Sequence, residues 1–360
     1  MLNRLLTVTA AQVDRVVRGA AVGMLSRHRA AGLSHEGRVD ALKALATQYG
    51  AAEYLQQPAT FFSRGVAAHV QQTHVDTRGP MEVHQLRWPS AYTPFNVDVA
   101  PRYLRDVQNH NVHARLYTTG ETGRPAVVVI HGFLCGQWAL EERLWPLQRL
   151  MRWGMDVALL VLPFHAVRGR PGLPKPGFPG ADPRVNIEGF RQSIHDLGAL
   201  RDWLRQRGAP TVGVMGMSLG GYVSALAATL DPYDFVVPMI PLGSIADFAR
   251  DGGRLGSTPD EEYQQHRWMD AAHHVVSPLA RPSLVPAQRA MVITGEGDRI
   301  TPAAHAQRLA QHLNARLHVL HGGHLLQFWR TKAFRAVGDM LLREGLRHTS
   351  KPHPAGRRGD

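Results

Sequence analysis

Two textures divide the chain. From residue 7 to about residue 73 apolar residues recur at helical spacing. Thr9 and Gln12 stand at the distance of a capping box, and Val13, Val16, Val17, Ala20, Met24 and Leu25 fall on one face. Ser34 to Gly50 repeats the pattern with Val39, Leu42, Ala46 and Tyr49 as the stripe and Gly50 as the stop. From about residue 82 short apolar runs alternate with helical patterns. The runs Val127–Ile130, Val157–Leu162, Thr211–Met215, Phe235–Ile240, Met291–Thr294 and Leu317–Leu320 are strand candidates. Helices are expected at Trp138–Trp153, Ile187–Arg205, Leu219–Leu230, Ala303–Leu313 and Phe328–Arg343. In the second, Phe190, Ile194, Leu197, Leu200 and Leu204 share a side.

This alternation predicts an α/β fold with a mostly parallel central sheet and helices on both faces. The expected layout is a helical N-terminal extension (1–81) packed on the main domain, an α/β domain (82–347) and a polar, basic, disordered tail (348–360). Two stretches interrupt the domain, the Pro/Gly-rich 166–183 and the long 243–286. Insertions of this kind lie over the C-terminal edge of such a sheet, where loops carry function.

The formal net charge of +12 raises the prospect of a nucleic-acid surface. Its 41 basic residues, of which only Lys43, Lys175, Lys332 and Lys351 are lysines, are spread through every segment, so no nucleic-acid partner is expected. A basic amphipathic N-terminal helix could instead touch a membrane surface. The single cysteine, Cys135, closes no intrachain disulfide, and no C-x-x-C pair is present to hold zinc. A reducing, cytoplasmic compartment is compatible. Asp14 and Arg15 interrupt the apolar stretch after Arg4, which argues against a signal peptide, and no run approaches the ~20 apolar residues of a membrane span.

Chemistry enters at Gly216-Met217-Ser218-Leu219-Gly220. A serine hydroxyl that projects from a sharp strand-to-helix turn needs glycine two residues to either side, because a side chain there would clash with the turn. About 0.1 such motifs are expected by chance at this glycine content, so the spacing alone is suggestive. The context strengthens it. An apolar run, Val212 to Met215, precedes the motif, and Leu219, Val223, Leu226 and Leu230 form a helical stripe after it.

With this strand, turn and helix the chain resembles the α/β-hydrolase superfamily over about residues 82 to 345. The resemblance implies a Ser, acid, His order, each at the end of a later strand. Gly295-Glu296-Gly297-Asp298 and the following Pro302 resemble the acid-bearing turn and imply Asp298 as the acid. Glu296 competes on spacing, and Asp247 is a third option. His321-Gly322-Gly323-His324 implies His324 as the base, with His321 structural. His131-Gly132-Phe133 resembles the HG-x turn, so the backbone N–H groups of Phe133 and Leu219 are expected to form the oxyanion hole.

The implied activity is hydrolysis of a small-molecule carboxylic ester or related acyl bond through an acyl-serine intermediate, without cofactor or metal. Trp138, His165 and Met217 are candidate substrate contacts alongside the two insertions, and Cys135 lies near the oxyanion turn. The elbow serine and Leu134 disfavour the epoxide hydrolase and haloalkane dehalogenase branches, and Leu162-Pro163-Phe164-His165-Ala166 stands where many lipases show G-H-G. His318, His321 and His324 at three-residue spacing lack the carboxylate of a metal site. Two rival readings remain: transfer of the acyl group to an acceptor other than water, or thioester cleavage, on the same fold; and a catalytically silent binding protein that uses its N-terminal helices.

Overall fold

The computed structural model describes Asn3 and residues 6–15, 33–172 and 176–347. The expected stripe from Val16 to Leu25 and the tail 348–360 lie outside the described residues. Ten strands form one sheet: β1 (Gln71–Arg78), β2 (Met81–Pro89), β3 (Asn111–Thr118), β4 (Ala126–Ile130), β5 (Asp156–Leu160), β6 (Val212–Met217), β7 (Val236–Met239), β8 (Met291–Gly295), β9 (Arg316–Gly322) and β10 (Gln327–Phe328). Their order is β1-β2-β3-β5-β4-β6-β7-β8-β9-β10. The run from β5 to β9 is parallel, and β1, β2, β3 and β10 are antiparallel to their neighbours. The structure thus has the α/β-hydrolase fold, with β4 to β9 corresponding to the six apolar runs.

The connections leave β4 in opposite directions, β5 lying on one side and β6 on the other. A crevice opens outside the carboxyl ends of strands at such a reversal. Successive side chains of β4 enter opposite cores: Val128 and Ile130 pack with Leu197, Leu200, Val223 and Leu226, while Val127 and Val129 pack with Leu150, Val337 and Leu341. The helices Pro183–Gln206 and Leu219–Ala228 therefore cover one face, and Leu147–Arg152 and Arg330–Arg343 the other. A strand buried on both faces must be apolar throughout, which is why these runs are legible as strands.

Three expectations need correction. The boundary at residue 82 falls inside β2, because β1 and β2 form a hairpin joined to β3, so the sheet begins at Gln71 within the region expected to be helical. Thr9 is not an N-cap: the helix is already running at residue 6. The helix expected at Trp138–Trp153 is two, Trp138–Leu144 and Leu147–Arg152, divided at Pro146, which has no N–H to continue the ladder. The N-terminal segment meets the main domain at its second insertion. His35–Tyr49, capped by Ser34 accepting from the Gly37 N–H at 3.2 Å, packs on the insertion helix Pro259–His273, where His35 meets Gln264 and Gln265 at 3.3 and 3.1 Å.

The long helix Pro183–Gln206 buries charged residues as well as its apolar stripe. Glu188 accepts from the Phe95 and Asn96 N–H groups and from Arg191, whose guanidinium also reaches the Phe61 carbonyl. Asp196 pairs with Arg168 at 2.8 Å and accepts from Ser90 at 2.6 Å, and both charged groups are out of solvent. Burying such groups is tolerable only because they are paired and hydrogen-bonded. The result ties residues 58–110 and the base of the 166–183 insertion to the rear of the domain. No helix among the described residues is long and apolar enough to cross a membrane.

Candidate active site

Strand β6 ends at Met217, and the helix Leu219–Ala228 starts two residues later, leaving Ser218 alone to make the turn at φ 57°, ψ −112°. A non-glycine residue in that conformation is strained and needs surroundings that hold it. The holding groups are visible: the Ser218 N–H donates to the Met239 carbonyl at 2.9 Å, and the Ser218 carbonyl accepts from Tyr222 at 3.1 Å and Leu242 at 3.3 Å. Glycine at the flanks is dictated by space. A Cβ on Gly216 would stand 1.9 Å from the Gly220 carbonyl oxygen, and one on Gly220 would stand 2.3 Å from the Ile130 oxygen.

The turns after β8 and β9 meet this elbow. His324 Nδ1 donates to Asp298 Oδ2 at 2.8 Å, leaving Nε2 to accept from the Ser218 hydroxyl at 3.0 Å. Asp298 is held in turn: Oδ1 accepts from the Ile300 and Thr301 N–H groups at 2.9 and 2.8 Å, and the Thr301 hydroxyl lies 3.1 Å from Oδ2. That hydroxyl also lies 3.0 Å from His324 Nδ1 and 3.1 Å from the Ile240 carbonyl, which links the acid turn to the strand beside the elbow. Burial works against the protonated ring of His324, but the charge of Asp298 and its hydrogen bond, with a further contribution from the buried Asp14, raise the imidazole above its ordinary value. The ensemble can move a proton from a hydroxyl to an imidazole braced by a buried carboxylate.

The turn after β4 closes the third side. Gly132 lies close enough to the elbow that a Cβ on it would stand 3.5 Å from Ser218 Cβ. His131 anchors this turn: Nδ1 donates to the Gly132 carbonyl at 2.7 Å, and Nε2 accepts from the Leu162 N–H at 3.0 Å. Burial holds this ring neutral, its pKa pushed down to about 4, as accepting at Nε2 requires. Leu219 is the first residue of its helix, so its N–H belongs to the group that finds no intrahelical partner.

The remaining candidates are placed elsewhere. Glu296 accepts from Thr7 at 2.7 Å and faces His321 at 3.1 Å, away from His324. Asp247 binds His266 at 2.7 Å and Arg308 at 2.6 Å on a separate cavity of about 410 Å³. Of the expected substrate contacts, Met217 is packed in the core under the sheet, and Trp138 stacks on Arg115 at 4.7 Å. His165 is fully buried between His131, Phe133 and Phe178, with Nε2 unpartnered. Burial, with Glu141 nearby, pushes the Cys135 thiol up to about 11, so it stays protonated. Among the described residues no group of three or more His, Cys, Asp or Glu is placed to hold a metal ion.

Two contributors escaped the sequence reading. Thr301 carries a usable signal, since an Asp followed three residues later by Thr before a helix-opening Pro is a turn in which the Asp side chain caps backbone N–H groups and the Thr hydroxyl comes to face it. Asp14 carries none, being far along the chain from every motif.

The prolyl oligopeptidase family model matches residues 191–328, the stretch that holds Ser218, Asp298 and His324. An uncharacterized protein of Mycobacterium tuberculosis is 29% identical over 309 residues, covering 83% of this chain and 73% of that one. Among solved structures, acetyl xylan esterase 1 from Thermoanaerobacterium sp. superposes with a TM-score of 0.56 at 18% identity, covering 81% of this chain and 93% of that one. A prolyl endopeptidase superposes with a TM-score of 0.51 at 16% identity, covering 76% of this chain and 39% of that one. At these identities the two structures share the fold with this chain.

Proposed function

We propose that this chain, which has the α/β-hydrolase fold, is a serine hydrolase that cleaves carboxylic esters or related acyl bonds of small molecules through an acyl-Ser218 intermediate. The carrying observation is the continuous hydrogen-bonded chain from Ser218 Oγ through His324 to Asp298, at 3.0 and 2.8 Å. In this reading His324 Nε2 takes the hydroxyl proton as Oγ attacks the carbonyl carbon, and returns it to the leaving group. Asp298 fixes the tautomer and stabilises the imidazolium that forms. The Leu219 N–H, at a helix N-terminus, and the Phe133 N–H are the donors for the developing oxyanion. Loss of one such donor costs about 10²–10³ in turnover. Water, activated by the same imidazole, then releases the acid.

Amide cleavage is the second reading, favoured by the match to the prolyl oligopeptidase family model. A series of p-nitrophenyl esters set beside acyl and aminoacyl p-nitroanilides separates the two. The ester reading expects ester turnover to exceed anilide turnover and to vanish in Ser218→Ala and His324→Ala. Faster anilide cleavage would replace it with the peptidase reading, and ester turnover that survives in Ser218→Ala would remove Ser218 from the mechanism.

A further inference from the structure

The helix of residues 6–15 lies across the two turns that carry Asp298 and His324. Asp14 is fully buried, and its carboxylate collects three backbone donors. Oδ2 accepts from the His324 N–H at 2.6 Å and from the Arg299 N–H at 3.2 Å, and Oδ1 accepts from the Leu325 N–H at 3.1 Å. One donor is thus the amide of the imidazole-bearing residue itself, and another is the amide directly after Asp298. Two helical turns earlier on the same face, Thr7 repeats the bridge: its hydroxyl donates to Glu296 at 2.7 Å and accepts from the Gly322 N–H at 3.2 Å.

Both turns are shaped to receive this helix. A Cβ on Gly323 would stand 2.3 Å from the Asp14 carboxylate, and one on Gly297 would stand 2.8 Å from the Thr7 methyl group. The glycines of both turns are therefore occupied sites of contact. A carboxylate accepting several N–H bonds in a buried site is a strong fixture, because its removal leaves those donors without a partner.

We propose that Asp14 is a positioning residue for the triad, its carboxylate cross-linking the acid turn to the base turn and so holding His324 between Asp298 and Ser218. This inference rests on the hydrolase reading above, and it makes the N-terminal helix part of the working enzyme. The charged and titratable groups around His324 are Asp298 from the turn after β8, Ser218 from the elbow and Asp14 from the N-terminal helix, with the Glu296 and His321 pair on the outer side of the same turns. The negative charge of Asp14 also favours the imidazolium, so its removal lowers the pH at which the base is lost.

The test uses the full chain and its Asp14→Ala and Asp14→Asn variants, reading the second-order rate of phosphonylation by a fluorophosphonate between pH 5 and 9, with thermal unfolding alongside. The expected result is a parent that reacts, a loss of tenfold or more in Asp14→Ala, and an acid limb shifted to lower pH in Asp14→Asn. Misplacement of a reacting group by 1 Å costs on the order of 10²-fold, which sets the scale. A purely structural role would lower the unfolding temperature and leave the acid limb where it is. If Asp14→Ala fails to fold, Asp14→Asn decides: a rate within twofold of the parent and an unmoved acid limb overturn the inference. A parent that does not react at all would instead overturn the hydrolase reading.

Discussion

Replacing Gly216 with alanine tests the elbow at its tightest point. The added Cβ would sit 1.9 Å from the Gly220 carbonyl oxygen, 2.2 Å from its carbon and 2.8 Å from the Gly221 nitrogen. All three are backbone atoms in the first turn of the helix that follows Ser218, so no side-chain rotation relieves the contact. The helix start must retreat by about 1.5 Å to regain ordinary van der Waals separation. Ser218 is bonded into that turn, and its Oγ moves with it relative to His324. A displacement of this size costs on the order of 10²-fold in the chemical step, and overpacking costs about 1–3 kcal/mol of stability. Gly198→Ala is the matched control, because in the helix Pro183–Gln206 the nearest atom to its Cβ is Asp231 Oδ2 at 3.8 Å. There alanine is expected to be neutral or stabilising by up to about 1 kcal/mol. The assay is kcat/KM for an activated aryl ester together with calorimetric unfolding of both variants. Retention in Gly216→Ala of activity within threefold of the parent, or of the control, would refute the steric reasoning.

Further predictions concern the base, the acid and the thiol. Because His324 is raised, it stays protonated to a higher pH than an ordinary histidine, so the acid limb of kcat/KM should have its midpoint above about 6.5; a midpoint below 6 would contradict this. By the same linkage the stability contributed by the Asp298 contact is fully present below the unfolded-state value and is lost as pH rises through the folded one, which denaturant midpoints across that window would show. Thr301→Val, which removes the hydroxyl between Asp298, His324 and Ile240, should lower kcat by about 3- to 30-fold with KM little changed, and an unaltered kcat would show that hydroxyl to be idle. Cys135, raised to about 11, should resist iodoacetamide at neutral pH, as intact mass would report; rapid alkylation would contradict a protonated thiol.

What was legible in the sequence follows the demands of burial. Strands β4 to β8 run through the buried middle of the sheet, where a continuous apolar stretch such as Val127–Ile130 has one reading. The first strands do not. β1 is exposed along nearly all its length and reads Gln-Gln-Thr-His-Val-Asp-Thr-Arg. β2 buries Met81 and Val83 in one core and Leu86 and Trp88 in the other, so the period-two signal changes phase in mid-strand. The positions of Ser218, Asp298 and His324 were legible because each follows an apolar run and sits among glycines that a tight turn requires. Their partners Thr301 and Asp14 were not singled out. Asp14 in particular reads only as a charge interrupting an apolar helix, and its meaning lies in backbone amides some 300 residues away. The buried charges of the helix Pro183–Gln206 were hidden for the same reason, since their partners come from Ser90, Tyr92 and Phe61.

Peptide mapping by mass spectrometry after exposure of the native protein to a fluorophosphonate puts the central claim to its most direct test. One adduct per chain is expected, on the peptide containing Ser218, and none after heat denaturation or in His324→Ala. An adduct on a different serine, or an unmodified Ser218 in folded protein, would contradict the account.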